Sequence, residues 1–263
     1  MSEPAIEIEH SDVVAWIWMC RPELHNAFDE RLIEELSGAF VDLGKRSDVR
    51  VIVLSGRGRS FSAGADIEWM KRQGSASLEE NLADAGKLAN LFRIISESPK
   101  PTIARVQGAA IGGGVGLVAA CDIAIGSSSA LFAMAEVRLG VIPATIAPYL
   151  VRAIGERQAR CLFQTGERIN ATRAERVGLL HEVSSAEQLD ERVQAMIDAL
   201  LLGGPLAQQA AKELVGAVSE RPISAELIED TARRIALCRA EPEAREGLSA
   251  FLEKRTPSWA TRR

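Results

Sequence analysis

Two glycine-bearing stretches hold the clearest chemistry in this sequence. IGGGVGL (111–117) has four glycines in seven residues, although each glycine weakens a helix interior by about 1 kcal/mol relative to alanine. SGRGRSFSAGADI (55–67) again runs through glycines to an acidic residue, Asp66, at the start of an apolar periodic segment. The first N–H groups of a helix have no partner within it and carry the positive end of its dipole. Glycine lets an oxygen approach those groups without meeting a β-carbon. Two such loops on neighbouring strands can aim two amides at one point. That is an oxyanion hole, which stabilises charge developing on a carbonyl oxygen; losing one donor typically costs about 10²–10³ in rate. Close packing of small residues is the competing use of the same glycines.

Other chemistries fit less well. GGGVGL does not match the dinucleotide-binding GxGxxG, because Leu117 stands at its third glycine position, and no GK[ST] follows to make a P-loop. His10, His25 and His181 have no ligand spacing, so no metal is expected. No GxSxG or Cys–His signature points to a covalent nucleophile. No cofactor is expected beyond what a substrate brings.

The elements that must position these loops alternate between strand and helix. Residues 5–19 read as two strands with a turn at Ser11–Asp12, and Asn26 to Gly44 reads as a helix with Asp29 as N-cap. VRVIVLSG (49–56) reads as a buried strand, GRGRSFSAGAD (56–66) as a loop, and helices are expected from near Asp66 and over about Leu78 to Ser96. PTIARVQG (101–108) is an expected strand. GGGVGLVAACD opens a small-residue helix, and DIAIGS returns as a strand. This is an α/β chain of β-β-α units with parallel crossovers. From about Ala186 strands disappear, which divides the chain into a core, 1–202, and a C-terminal helical oligomerisation region, 203–263.

The formal net charge of −5 leaves no electrostatic footprint for nucleic acid. The longest uncharged run, Val106 to Cys121, is too short for a membrane span. The N-terminus lacks a signal-peptide layout, and Cys20, Cys121, Cys161 and Cys238 show no CxxC pairing. A cytoplasmic protein with reduced thiols is expected.

GRSFSAGADI followed by VQGAAIGGGVGLVAACDIAIGSSSALFAMAEVRLGVIP resembles the crotonase superfamily, the enoyl-CoA hydratases and isomerases, over nearly the whole chain. The resemblance implies a crotonase-like spiral of ββα units, a helical trimerisation region giving trimers or dimers of trimers, and a CoA thioester substrate. Carried over by position, the oxyanion hole is the backbone N–H of Ala65 and of Gly113. The family's two-glutamate hydratases carry a glutamate where this chain has Gly116. Their second glutamate falls on Glu136, which by spacing alone reads as a surface charge. One carboxylate suffices for a Δ3,Δ2-isomerase; a hydratase must use it for both proton transfers, with water or a substrate carboxylate in room left beside Gly116. The local wording is similar to bacterial methylglutaconyl-CoA-type hydratases, which favours hydratase over isomerase and over a non-catalytic acyl-CoA-binding member.

The resemblance also implies the binding residues. CoA is met by RPELHNAF and by the SAGADI backbone at Ala63, Asp66 and Ile67, with the helix opening at Gly112 beside them. Arg21 stands near the first loop as a phosphate contact, or else as an exposed turn arginine. A lysine that some members use for CoA is here Glu68. Phe251 and Lys254 match residues that pack on adenine and pair with phosphate. Met70, Phe132, Met134, Ile142 and Thr145 are candidates for the acyl pocket, with core packing as the alternative for the apolar ones.

Overall fold

A computed structural model describes residues 4–219 and 221–260. Its elements run in order β1 (Ile6–Ser11), β2 (Val14–Met19), α1 (Glu30–Lys45), β3 (Val51–Gly56), β4 (Ser60–Ser62), α2 (Ile67–Ser75) and α3 (Leu78–Ser96). There follow β5 (Thr102–Val106), β6 (Ala109–Ile111), α4 (Gly113–Ala120), β7 (Ile123–Ser127), β8 (Leu131–Ala133) and α5 (Ala147–Thr165). The chain continues through β9 (Arg168–Asn170), α6 (Ala171–Arg176), β10 (Glu182–Ser184), α7 (Leu189–Leu201), α8 (Pro205–Val218), α9 (Ala225–Ala240) and α10 (Pro242–Leu252).

The strands form two sheets, ordered β1-β2-β3-β5-β7-β10 and β4-β6-β8-β9. Among the described residues only the β1–β2 and β8–β9 strand pairs are antiparallel. Three successive units, β3–β4, β5–β6 and β7–β8, each give a long strand to the large sheet and a three-residue strand to the small one before turning into helix. This is the expected α/β arrangement of ββα units. Parallel pairing needs crossovers, and the helices supply them.

Strand β3 is buried along its whole length because both faces of the large sheet are covered. One face packs on a core with Leu32, Leu36 and Phe40 of α1, Leu91, Phe92 and Ile95 of α3, and Leu117 of α4. On the other face Val51, Val53, Ile103 and Ile125 meet Leu189, Val193, Ile197 and Leu201 of α7. Beyond α7, Arg50 binds the carbonyls of Gly203 and Trp259, and Lys212 pairs with Asp122 at 2.8 Å, so α8–α10 are tied to the core.

Two local expectations need correction. The helix read from Asn26 begins at Glu30. Asn26 is fully buried with φ 55°; its side chain accepts from Arg21 N–H and donates to the carbonyls of Arg57 and Ser60, stitching two loops together. Asp29 caps the helix as expected, accepting from Leu32 N–H at 2.8 Å. The stretch 56–66 is not all loop, since Ser60–Ser62 pairs with β6 as a strand.

Candidate active site

The two glycine-bearing loops meet in one cleft of about 280 Å³. It is lined by Ala63, Gly64, Ala65, Gly112, Gly113 and Glu136 and by the apolar side chains of Trp69, Met70, Leu88, Leu139, Val141, Ile142, Pro143 and Ile146. The loop after β4 is fixed against the RPELHNAF segment. Phe28 N–H donates to Gly64 O at 2.6 Å, and Asp66 N–H donates to Phe28 O at 2.8 Å. Those bonds use the groups on either side of Ala65 and leave its own N–H facing away from Phe28. Gly64, at φ +87°, lies so near the α4 loop that a β-carbon on it would stand 2.8 Å from Ile111 O. The α4 end is pinned by Gly112 N–H donating to Ala133 O at 2.8 Å. Gly113 is the first residue of α4, where an N–H has no helical acceptor. Among the described residues neither the Ala65 nor the Gly113 N–H has a hydrogen-bond partner.

Glu136 begins a single helical turn, Glu136–Leu139, closed by Gly140 in the left-handed conformation. Its carboxylate lies over Gly112, whose φ is +51°; a β-carbon there would be 3.1 Å from Glu136 Oε1. Its Oε2 is buried and has no hydrogen-bond partner. Burial pushes this carboxyl above the ordinary carboxylate range, opposed only by its own backbone N–H. A buried, unsatisfied carboxylate oxygen is costly to hold, and here it stands beside two free amides. Chemically, such an arrangement can pair a general acid–base with an oxyanion hole.

Of the residues singled out from sequence, Ala63, Ala65, Met70, Gly112, Gly113, Glu136, Ile142 and Thr145 line this cleft. Others do not. Arg21 is engaged within the chain: its guanidinium binds Ala27 O at 2.7 Å, Asp29 at 2.9 Å and Asp66 at 3.0 Å. Asp66 caps α2 by accepting from Glu68 and Trp69 N–H. Burial pushes its carboxyl up, but those N–H groups and Arg21 outweigh it and hold it below the usual range. Ile67 points to solvent at 70% exposure, and Phe132 and Met134 are fully buried in the core. Phe251 and Lys254 lie on and just after α10, which packs on α8 and α9 away from the cleft lining.

Gly116 calls for the largest correction, because no room is left beside it. It is buried, and a β-carbon there would lie 2.3 Å from Ile146 Cγ2 and 2.8 Å from Phe92 Cζ. Side chains fill the space expected for water or a substrate carboxylate.

Trp69, Gln73, Leu88 and Ile146 line the cleft without having been picked out, and Phe28 lines it from the RPELHNAF segment. Gln73 lies three positions on from Met70 and four from Trp69 in a helix that Asp66 caps, so helical spacing from Met70 finds Gln73 and, from it, Trp69. Asp84 on α3 holds both, accepting from Trp69 Nε1 at 3.2 Å and Gln73 Nε2 at 2.5 Å. Leu88 and Ile146 come from distant segments and leave no such signal.

Residues 9–262 match the model of the family described as enoyl-CoA hydratase/isomerase. A crotonyl-CoA hydratase of Syntrophomonas wolfei is 33% identical over 268 residues, covering 100% of both chains. A 2,3-dehydroadipyl-CoA hydratase of Escherichia coli K12 is 32% identical over 243 residues, 92% of this chain and 91% of that one. The crystal structure of an enoyl-CoA hydratase from Shewanella pealeana superposes with a TM-score of 0.94 at 40% identity, over 97% of this chain and 96% of that one.

Proposed function

The chain belongs to the enoyl-CoA hydratase/isomerase family, and from that membership we propose that it is a lyase adding water to an α,β-unsaturated acyl-CoA thioester. The observation that carries this reading is Glu136, with its buried unpartnered Oε2, set beside the free N–H groups of Ala65 and Gly113 in one cleft. The thioester oxygen takes the two amides, and the N-terminus of α4 adds its dipole. Glu136 removes a proton from water as the oxygen bonds to C3. The electron pair of the C2–C3 double bond moves onto the thioester as an enolate, and Glu136 then returns the proton to C2. One carboxylate thus performs both transfers in sequence. Coenzyme A enters only as part of the substrate.

The same single acid supports a second reading, a Δ3,Δ2-enoyl-CoA isomerase, in which Glu136 takes a proton from C2 and returns it at C4. Among the described residues, those lining the cleft include no Arg, Lys or His. That favours an uncharged acyl group over the glutaconyl type, whose free carboxylate would find no cation there. Turnover of crotonyl-CoA, a 3-enoyl-CoA and 3-methylglutaconyl-CoA separates these cases. Hydration of crotonyl-CoA is the expected result, and no turnover of any of the three overturns the reading in favour of an acyl-CoA-binding protein. Apolar side chains exposed on α8–α10 support a trimer or a dimer of trimers. The four free cysteines fit a cytoplasmic location, and no helix among the described residues is long and apolar enough to cross a membrane.

A further inference from the structure

Ile146 both lines the cleft and fills the space over Gly116. It is 2% exposed and is held at the start of α5, where its carbonyl accepts from the N–H groups of Tyr149 and Leu150 at 3.2 and 3.1 Å. Its β-branch restricts χ1, so Cγ2 is held close to Gly116. Behind it stand Gly116 and Phe92, both fully inside the core and outside the cleft lining. Phe92 is in turn braced by the ring of Tyr149, 5.9 Å away centre to centre. From the cleft inward the order is therefore Ile146, then the contact between Gly116 and Phe92. Gly116 lies in the first turn of α4, its N–H donating to O of the N-cap Gly112 at 3.3 Å. A thioester oxygen on the Gly113 amide would set the carbons beyond C3 against this wall.

We propose that Ile146 is the specificity-determining residue at the acyl end of the cleft, and that Gly116 lacks a side chain because Ile146 takes its space. The pair is size-matched. A larger residue at 116 requires a smaller one at 146, and shortening Ile146 opens a dry apolar pouch toward Phe92 that is continuous with the cleft. This assignment rests on the reading of the cleft as an acyl-CoA site.

The test is the affinity of the full-length protein for butyryl-CoA and hexanoyl-CoA, measured by calorimetry in the wild type and in Ile146→Ala. The ratio of hexanoyl to butyryl affinity is expected to rise about tenfold in the variant, the low end of what one or two methylenes are worth in an apolar pocket. If Ile146→Ala does not fold, Ile146→Val, which loses only Cδ1, moves the ratio in the same direction by less. A ratio unchanged in a folded variant overturns the assignment while leaving the proposed function standing. Failure of the wild type to bind either ester overturns both. The pairing itself is read from thermal unfolding: Gly116→Ala is expected to lower the transition sharply in the wild type and less in the Ile146→Ala background. Equal losses in the two backgrounds would place the constraint at Phe92 alone and overturn the pairing.

Discussion

At the scale of single residues, Glu136 carries an energetic cost that its position alone does not reveal. A carboxyl with a raised folded pKa is protonated more readily in the native than in the unfolded chain. Its favourable contribution is present below the ordinary value of 4.5 and is lost as pH rises through the folded value. Glu136→Gln is therefore expected to raise the unfolding temperature by a few degrees at neutral pH, with the gain closing below the ordinary carboxylate range. A variant less stable than wild type at neutral pH would contradict this account of the buried oxygen. Gly113 offers the complementary test. Proline is well tolerated at the first position of a helix, so Gly113→Pro removes one N–H while Phe28, 3.1 Å from a β-carbon there, yields slightly. Its kcat should fall by about 10²–10³; near-normal turnover by the folded variant would exclude that amide from the oxyanion hole. That the glycines of both loops meet in one place was readable from sequence. The surroundings of Gly116 were not, because Phe92 and Ile146 reach it from 24 and 30 positions away along the chain.

At the scale of elements, the site depends on how helices begin. Asp29 and Asp66 cap α1 and α2, and both were legible because an N-cap is a local signal. What joins them was not legible: Arg21 bridges the two caps from a third segment. Arg21→Gln should cost about 1–3 kcal/mol in chemical denaturation, as expected for lost hydrogen bonds to charged partners. Its affinity for CoA esters should change little. A loss of CoA-ester affinity with an unmoved unfolding transition would instead make Arg21 a phosphate contact. The three-residue strands β4, β6 and β8 escaped the sequence reading for a related reason. Strands so short are defined by their partners across the small sheet, not by their own residues.

At the scale of the whole molecule, the helical segment after Gly204 leaves Leu206, Val215, Ile223, Ile228, Ile235, Leu237, Leu248, Phe251 and Leu252 exposed. Apolar exposure of that extent marks an association surface. Sedimentation of the full chain should give a trimer or a multiple of it, and a monomer at micromolar concentration would contradict this. A trimer would assign separate tasks to the two parts: the ββα spiral builds the cleft, and the C-terminal helices would hold copies together. The most direct test of the central claim is turnover of crotonyl-CoA, followed as loss of the conjugated enoyl-thioester absorbance, by the wild type and by Glu136→Gln. The wild type is predicted to turn over. Glu136→Gln should bind the ester with little change in affinity and lose at least about 10²-fold in kcat. Equal turnover by the two proteins would remove Glu136 from the chemistry and contradict the account.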